Sequence, residues 1–413
     1  MTDYQAMENQ ASMGILPKRD VVIVRGSGAR VWDAEGKEYI DCIGGIGTAN
    51  VGHCHPAVTE AVARQAERLV ICPDTFYNDL RAELAVALTR VAPEGLDRLF
   101  LCNSGTEAVE AALKFARVAT GRQGIIAAQR GFHGRTFGAL SATWNPKYRA
   151  PFEPLVPGFT HVKYNDVSVM EESIGDGTAA VILEVVQGEG GVRIGDGAYL
   201  KRVEALCRER GVLFIVDEVQ TGFGRTGAMF ACEHHGLRPD MLCLAKAMAG
   251  GLPVGATLCA DSVRDVPSMS HGNTFGGSPV VCAAGLATLR VLEEEGLVEK
   301  ARENGAYFRD ALAALDAPFV REIRGLGLII GVEMKGRVTP VLRGLMERGV
   351  MALPAGNTVL RFLPPLSISR EEIDQVVETV GVVLGSLEGS SADDAARDRR
   401  RARRSPAGAP EAE

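Results

Sequence analysis

Two ionisable side chains follow two short apolar runs, and together they define the chemistry to be explained. Val212 to Val216 leads at once into Asp217, and Met241 to Ala245 leads into Lys246. Each run has the length and unbroken apolar character of a strand buried on both faces of a parallel sheet. Ligands of open parallel sheets gather beyond the carboxyl ends of the strands, so an acid and an amine delivered there are placed to meet one ligand. That pairing suits pyridoxal phosphate, which needs a lysine to hold it as a Schiff base and an acid to keep its ring nitrogen protonated. A buried Asp–Lys ion pair would leave the same trace, and this stretch alone leaves both readings open.

Other segments supply what such a cofactor would require. Asn103-Ser104-Gly105-Thr106-Glu107-Ala108 sits where an apolar strand turns into a helix. The free amides of that first turn, with Gly105 permitting close approach and Ser104 and Thr106 offering hydroxyls, make an anion cradle; an ordinary helix cap is the plainer reading of the segment alone. In RGFHGRTFG, Phe132 offers a face to a ring and Arg135 a bidentate clamp for a carboxylate; taken singly they read as core and surface. Gln220, three residues after Asp217, is placed for a ring hydroxyl, Val219 is counted with the same cofactor contacts, and Thr274 in GNTFGG is a further phosphate candidate.

Two competing motifs carry less. GFGRTG from Gly222 to Gly227 matches the dinucleotide pattern Gly-x-Gly-x-x-Gly, but the residues DEVQ separate it from its strand and no helix opens at Gly227, so a nicotinamide site is disfavoured. His53, Cys54 and His55 alternate on a short loop with no further ligand pair at helical spacing, which favours a loop-stabilising role over a metal site.

The elements that must position these residues alternate. From Arg81 onward, helical patterns such as TEAVEAALKFARVATG and AYLKRVEALCRERG are interleaved with apolar strands such as QGIIAAQ and AAVILEVVQ. That order predicts an α/β fold, a large mostly parallel sheet with helices on both faces, plus a smaller α/β domain. The expected organisation is an N-terminal segment (1–60) packing with the small domain, a large domain (61–290), a small domain (291–388) and a tail (389–413). The tail, with arginines at 397, 399, 400, 401, 403 and 404, has too few large apolar side chains to fold and is expected to be disordered.

Composition narrows the class. A formal net charge of −7 gives no whole-chain basic field for nucleic acid. The start lacks a signal-peptide pattern and no stretch has bilayer-spanning length, so a cytoplasmic location is expected. Nine scattered cysteines with no CxxC pair suit reduced core thiols.

Taken together, NSGTEA, RGFHGRTFG, ILEVVQGEGGV, DEVQTGFGRTG, LAKAMAGGLP, GNTFGGSP, RGLGLIIGVE and LRFLPPL resemble the class III aminotransferases that use pyridoxal phosphate, over roughly residues 20–388. Within that family the chain is most similar to the acetylornithine aminotransferases and to their relatives that act on lysine held by an amino-group carrier protein; PKRDVVIVRGSGARVWDAEGKEYIDC and TWNPKYRAPFEPLVPG point to the latter. The resemblance implies the fold-type-I architecture and transfer of the terminal amine of an α-amine-blocked diamino acid to or from 2-oxoglutarate and glutamate. Other ω-aminotransferases acting on ornithine or 4-aminobutyrate are the nearest alternative, and a non-catalytic regulator that keeps the fold is more remote. It also implies a homodimer with a shared active site and, for the lysine branch, a small acidic carrier protein as partner. By position it implies that Lys246 holds the cofactor, Asp217 pairs with the pyridinium, Gly105 and Thr106 bind phosphate, Phe132 stacks, Gln220 meets the ring hydroxyl, and Thr274 reaches the neighbouring subunit's phosphate. Arg135 then binds substrate carboxylate, Asn273 lines the substrate site, and Arg361 binds glutamate while Glu189 neutralises it for the amine donor. Val185 departs from the family's usual proline, and the Arg-rich tail is outside its pattern.

Overall fold

The computed structural model describes residues 2–263 and 265–386; the Arg-rich tail lies outside the described residues. Its largest element is a seven-stranded sheet in the order Arg98–Cys102, Gly255–Cys259, Met241–Leu244, Leu213–Asp217, Thr178–Leu183, Gly124–Ala128, Phe159–Val162. All neighbouring pairs are parallel except those made by Gly255–Cys259, which runs antiparallel to both neighbours. The two central apolar runs therefore lie side by side and parallel, with Val216 opposite Leu242 and Asp217 opposite Cys243.

Alternation explains why both runs are apolar throughout. Phe214, Val216, Leu242 and Leu244 face one core, while Leu213, Ile215, Met241 and Cys243 face the other. The second core is closed by the Gly105–Thr120 helix, whose Ala108, Val109, Ala111 and Ala112 are small enough to lie close on the sheet. Ser104 caps that helix through a contact with the Glu107 N–H, and the Glu107 carboxylate accepts in return from the Asn103 N–H at 2.9 Å and the Ser104 hydroxyl at 2.8 Å. A cap of this kind stabilises by about 1 kcal/mol and leaves the helix mouth rigid.

The N-terminal strands Ile23–Ser27, Arg30–Asp33 and Glu38–Asp41 form a separate sheet, completed by Val350–Met351 from far along the chain. A third sheet joins Val320–Leu326, Ile329–Met334, Val359–Phe362 and Leu353–Ala355. The Pro279–Glu294 helix runs across position 290/291, and the chain turns at Gly296, with φ +61°, into Leu297–Ala314. A short helix, Tyr4–Ala11, occupies part of the polar opening; it buries nothing and is held by an Asp3 cap.

The GFGRTG segment is a structural joint. Arg225 is fully buried and donates to Asn50 Oδ1 at 2.6 Å, Leu328 O at 2.9 Å and Pro364 O at 2.5 Å, so one side chain ties the N-terminal segment and the C-terminal sheet region to the large sheet. Burial pushes its guanidinium down to about 9. The two histidines of the short loop also point to separate partners, His53 to Asp41 at 2.7 Å and His55 to Glu295 at 2.9 Å. All nine cysteines are free thiols, and seven of them are buried.

Candidate active site

Because their strands are adjacent and parallel, Asp217 and Lys246 reach one cavity of about 420 Å³ at the carboxyl edge of the sheet. Lys246 opens the turn Lys246–Ala249 with φ at +45°, a left-handed backbone that is sparsely populated for lysine. Strain of this kind costs about 1–3 kcal/mol and survives where the surrounding packing fixes it. Burial holds the Lys246 ammonium below the ordinary lysine range, against the pull of Glu189 and Asp217. An amine so placed gives up its proton readily and is fit to act as nucleophile or base.

Asp217 is held at both oxygens. Oδ1 accepts the Val219 N–H at 3.0 Å, and Oδ2 accepts from Nδ1 of His133 at 2.7 Å. Burial works against charge on His133, yet Asp217 and Glu184 hold its imidazolium above the ordinary value. Glu184 accepts the Phe132 N–H at 3.0 Å, and burial pushes its carboxyl up to about 8. His133 and Glu184 were not picked out as site residues from the sequence. Glu184 carried the same signal as Asp217 and Lys246, an ionisable residue directly after a buried strand, here Thr178–Leu183.

The helix mouth forms another wall. Ser104, Gly105 and Thr106 line the cavity, and a Cβ on Gly105 would stand 2.6 Å from Val219 Cγ1, so only glycine permits that approach. The Thr106 hydroxyl lies 2.8 Å from that of Thr136 and accepts the Arg135 and Thr136 N–H groups at 3.3 Å, tethering the loop that carries Phe132. Phe132 packs edge-on against Tyr148, with centroids 6.0 Å apart, and the Arg135 guanidinium lies 3.9 Å above the Tyr148 ring. Tyr148, in the short Pro146–Arg149 helix, is thus a shelf for Arg135, thirteen positions back across the Phe137–Ala142 helix, with no periodic signal.

Phe132, Arg135, Val219 and Gln220 share this lining with the groups above. Behind Gln220, Arg361 is 2% exposed and paired with Glu189 at 2.7 Å, and it also donates to Gln220 Oε1 at 3.2 Å. Burial opposes the Glu189 charge, and Arg361 overcomes it, holding the carboxyl below its usual value. Asn273 and Thr274 do not line the cavity of their own chain. The Asn273 amide is spent on Leu101 O at 2.8 Å and on the Gly276 N–H, while Thr274 is exposed.

The family model described as aminotransferase class-III matches residues 15–384. The chain belongs to the class III aminotransferases. This aminotransferase is 50% identical over 388 residues to the [LysW]-aminoadipate semialdehyde transaminase of Deinococcus radiodurans, covering 93% of this chain and 90% of that one. It is 47% identical to the acetylornithine aminotransferase of Methanothermobacter thermautotrophicus, covering 92% and 98%. Among solved structures, the ornithine aminotransferase of Toxoplasma gondii superposes with a TM-score of 0.90 at 37% identity, covering 94% and 96%.

Aminotransferases of this class use pyridoxal phosphate. The donor set of this chain fits it: a buried amine with a depressed proton affinity, a carboxylate fixed at both oxygens, a capped helix mouth with unused first-turn amides, and an aromatic wall, all on one cavity.

Replacing Glu184 by glutamine keeps an acceptor for the Phe132 N–H and removes the titration. Between the ordinary glutamate value of 4.5 and about 8 the folded protein holds a proton that the unfolded chain has released, so folding stability declines as pH rises through that window. His133, raised by Asp217, adds stability below its unfolded value that is lost on the same rise. Thermal melts from pH 5 to pH 9 are therefore expected to fall less steeply for Glu184→Gln than for the parent; parallel curves would remove Glu184 as a buried titrating group.

Proposed function

We propose that this aminotransferase moves the terminal amine of a diamino acid whose α-amine is blocked, lysine linked to a small acidic amino-group carrier protein or N2-acetylornithine, to 2-oxoglutarate, and runs the reverse from glutamate. The observation that carries this reading is the pairing of buried Arg361 with half-buried Glu189 beside Gln220. A site that must accept both a dicarboxylate and a substrate bearing only an amine at its reacting end needs a cation that can be switched off. Paired with Glu189, Arg361 is neutralised for the diamino acid; released, it binds a glutamate carboxylate. The names of the relatives above support the same substrate class.

When bound, the cofactor supplies an electron sink for charge developing on the substrate carbon that bears the amine. Lys246 Nζ would hold the cofactor covalently, and as a free amine it would be placed to accept the proton from that carbon. Asp217 would stabilise a proton on the ring nitrogen, and His133 and the Val219 N–H keep its carboxylate from turning away. Ser104, Gly105 and Thr106 would present amides and hydroxyls to the phosphate, Phe132 and Val219 would wall the ring, and Gln220 would face its hydroxyl. Arg135, steadied on Tyr148 at the exposed end, takes the substrate carboxylate. In a homodimer Thr274 serves the neighbour's phosphate and Asn273 the substrate rim; the exposed Phe76, Tyr77 and Phe275 give such a dimer apolar surface to cover. A cytoplasmic location is part of the same reading; no helix among the described residues is long and apolar enough to cross a membrane.

Glu189→Gln leaves Arg361 charged against the diamino acid. Its kcat/KM for the blocked diamino acid is expected to fall about 10- to 100-fold, with glutamate much less affected. Equal losses for both substrates would refute the switch. The substrate itself is tested by assaying the purified holoenzyme with carrier-bound lysine, N2-acetylornithine, ornithine and 4-aminobutyrate, each with 2-oxoglutarate. A blocked diamino acid is expected to give the highest kcat/KM, and preference for free ornithine or 4-aminobutyrate would overturn the reading.

A further inference from the structure

Glu189 lies at the tip of a short ribbon formed by Val186–Gln187 and Arg193–Ile194, in which Gln187 is paired with Arg193. At its tip Glu189 pairs with Arg361, which donates to Gln220 of the Lys246 cavity. The ribbon itself lines a separate cavity of about 480 Å³ bounded by Gln129, Arg130, Lys163, Gln187, Arg193 and Arg324, together with Glu322. It too lies beyond the carboxyl ends of parallel strands, here Gly124–Ala128 and Phe159–Val162.

Its charges do not balance. Glu333 is shared among Arg324 at 2.7 Å, Arg321 at 3.2 Å and Arg193 at 3.8 Å; Glu322 pairs with Arg324 at 2.6 Å, and Lys163 with Asp166 at 3.1 Å. Arg130 has no carboxylate partner among the described residues, and its backbone is held at φ +68°. Burial holds Arg193 below the ordinary arginine range, and the nearby Arg130 and Arg324 push it the same way. Like charges gathered without enough counter-charge are stabilised by an anion.

Two buried polar atoms say more about that anion. Arg193 Nε, a donor, and Gln187 Oε1, an acceptor on a side chain with no exposure, have no hydrogen-bond partner among the described residues. The Gln187 amide cannot be reversed to hide its oxygen, because Nε2 donates to Gln129 O at 3.0 Å and the reversed oxygen would face that carbonyl. A ligand that accepts from the guanidinium groups and also donates one proton to Gln187 would satisfy both atoms. Fully ionised dicarboxylates and sulfate have no proton to give. Inorganic phosphate keeps a P–O–H at neutral pH. We propose that this second cavity is a binding site for inorganic phosphate, held by Arg130, Arg193 and Arg324 and oriented by Gln187.

A phosphate there would brace the ribbon whose carbonyls at Gly191 and Val192 already accept from Arg324 at 3.0 Å. The test is calorimetric titration of sodium phosphate into the holoenzyme, whose own phosphate cradle is filled, at fixed ionic strength and neutral pH. Saturable binding is expected, weakened at least about tenfold by Arg130→Ala and by Arg193→Ala, and retained by Arg135→Ala in the Lys246 cavity. Arg130 is exposed, so its variant is expected to fold normally. Sulfate under the same conditions is expected to bind at least about tenfold more weakly than phosphate. No phosphate binding by the holoenzyme, binding unchanged by Arg130→Ala, or loss of binding in Arg135→Ala alone would overturn the site. Equal affinity for sulfate would overturn the role given to Gln187.

Discussion

Lys246→Ala is expected to lower turnover by at least about 10⁴-fold with every amine donor and to abolish the visible absorbance that a covalently held cofactor gives. The size of the effect follows from two tasks resting on one atom. In the proposed mechanism Nζ would both carry the cofactor and move the proton at the substrate carbon, and no neighbour is placed to stand in for it. His133 is bound to Asp217, Glu184 is turned to the Phe132 N–H, and Arg361 is an arginine and cannot act as a base at neutral pH. The loss should be one of kcat more than of substrate affinity, since Arg135 and Arg361 remain. Near-parental turnover in the variant would rule the assignment out.

Asp217→Asn is expected to cost about 10²–10⁴-fold in kcat, the scale of leaving a buried charge without its partner. The substitution is close to isosteric, and the Val219 N–H still finds an oxygen. What is lost is the carboxylate that in the proposed mechanism would stabilise a protonated ring nitrogen, and that holds the His133 imidazolium at 2.7 Å. The same variant is expected to lower the proton affinity of His133, whose raised value depends on Asp217. Histidine NMR titration of the apo protein reads that change without reference to activity. An unaltered His133 titration together with unaltered kcat would show that the Asp217 charge does neither task.

The convergence of Asp217, Lys246 and the NSGTEA turn on one cavity was largely legible in the sequence because it rests on local signals. Val212 to Asp217 and Met241 to Lys246 are short apolar runs that can only be buried strands, and parallel neighbours deliver their last residues to the same edge. The NSGTEA turn declared its cap through Ser104 and Glu107, three residues apart. The family resemblance then supplied Glu189 and Arg361, which no spacing connects; they meet only because the Val359–Phe362 strand of one sheet lies against the ribbon from another.

What escaped was set by tertiary contact. His133 stands two residues from Arg135, but its value depends on Asp217, 84 positions away. Tyr148 under Arg135 and Arg225 across three chain segments are products of loop packing, without a period to reveal them. The antiparallel course of Gly255–Cys259 is likewise invisible in a run whose apolar character is the same in either direction. Asn273 shows the converse: its place next to Thr274 in a motif is local, but its amide is committed to Leu101 and Gly276.

The central claim is that Lys246 is the residue that holds the cofactor. Reduction of the purified holoenzyme with borohydride, followed by proteolysis and mass spectrometry, tests it directly. The account predicts a pyridoxyl group on the peptide that contains Lys246 and on no other lysine; a label at a different lysine, or none in a protein shown to contain the cofactor, would contradict it.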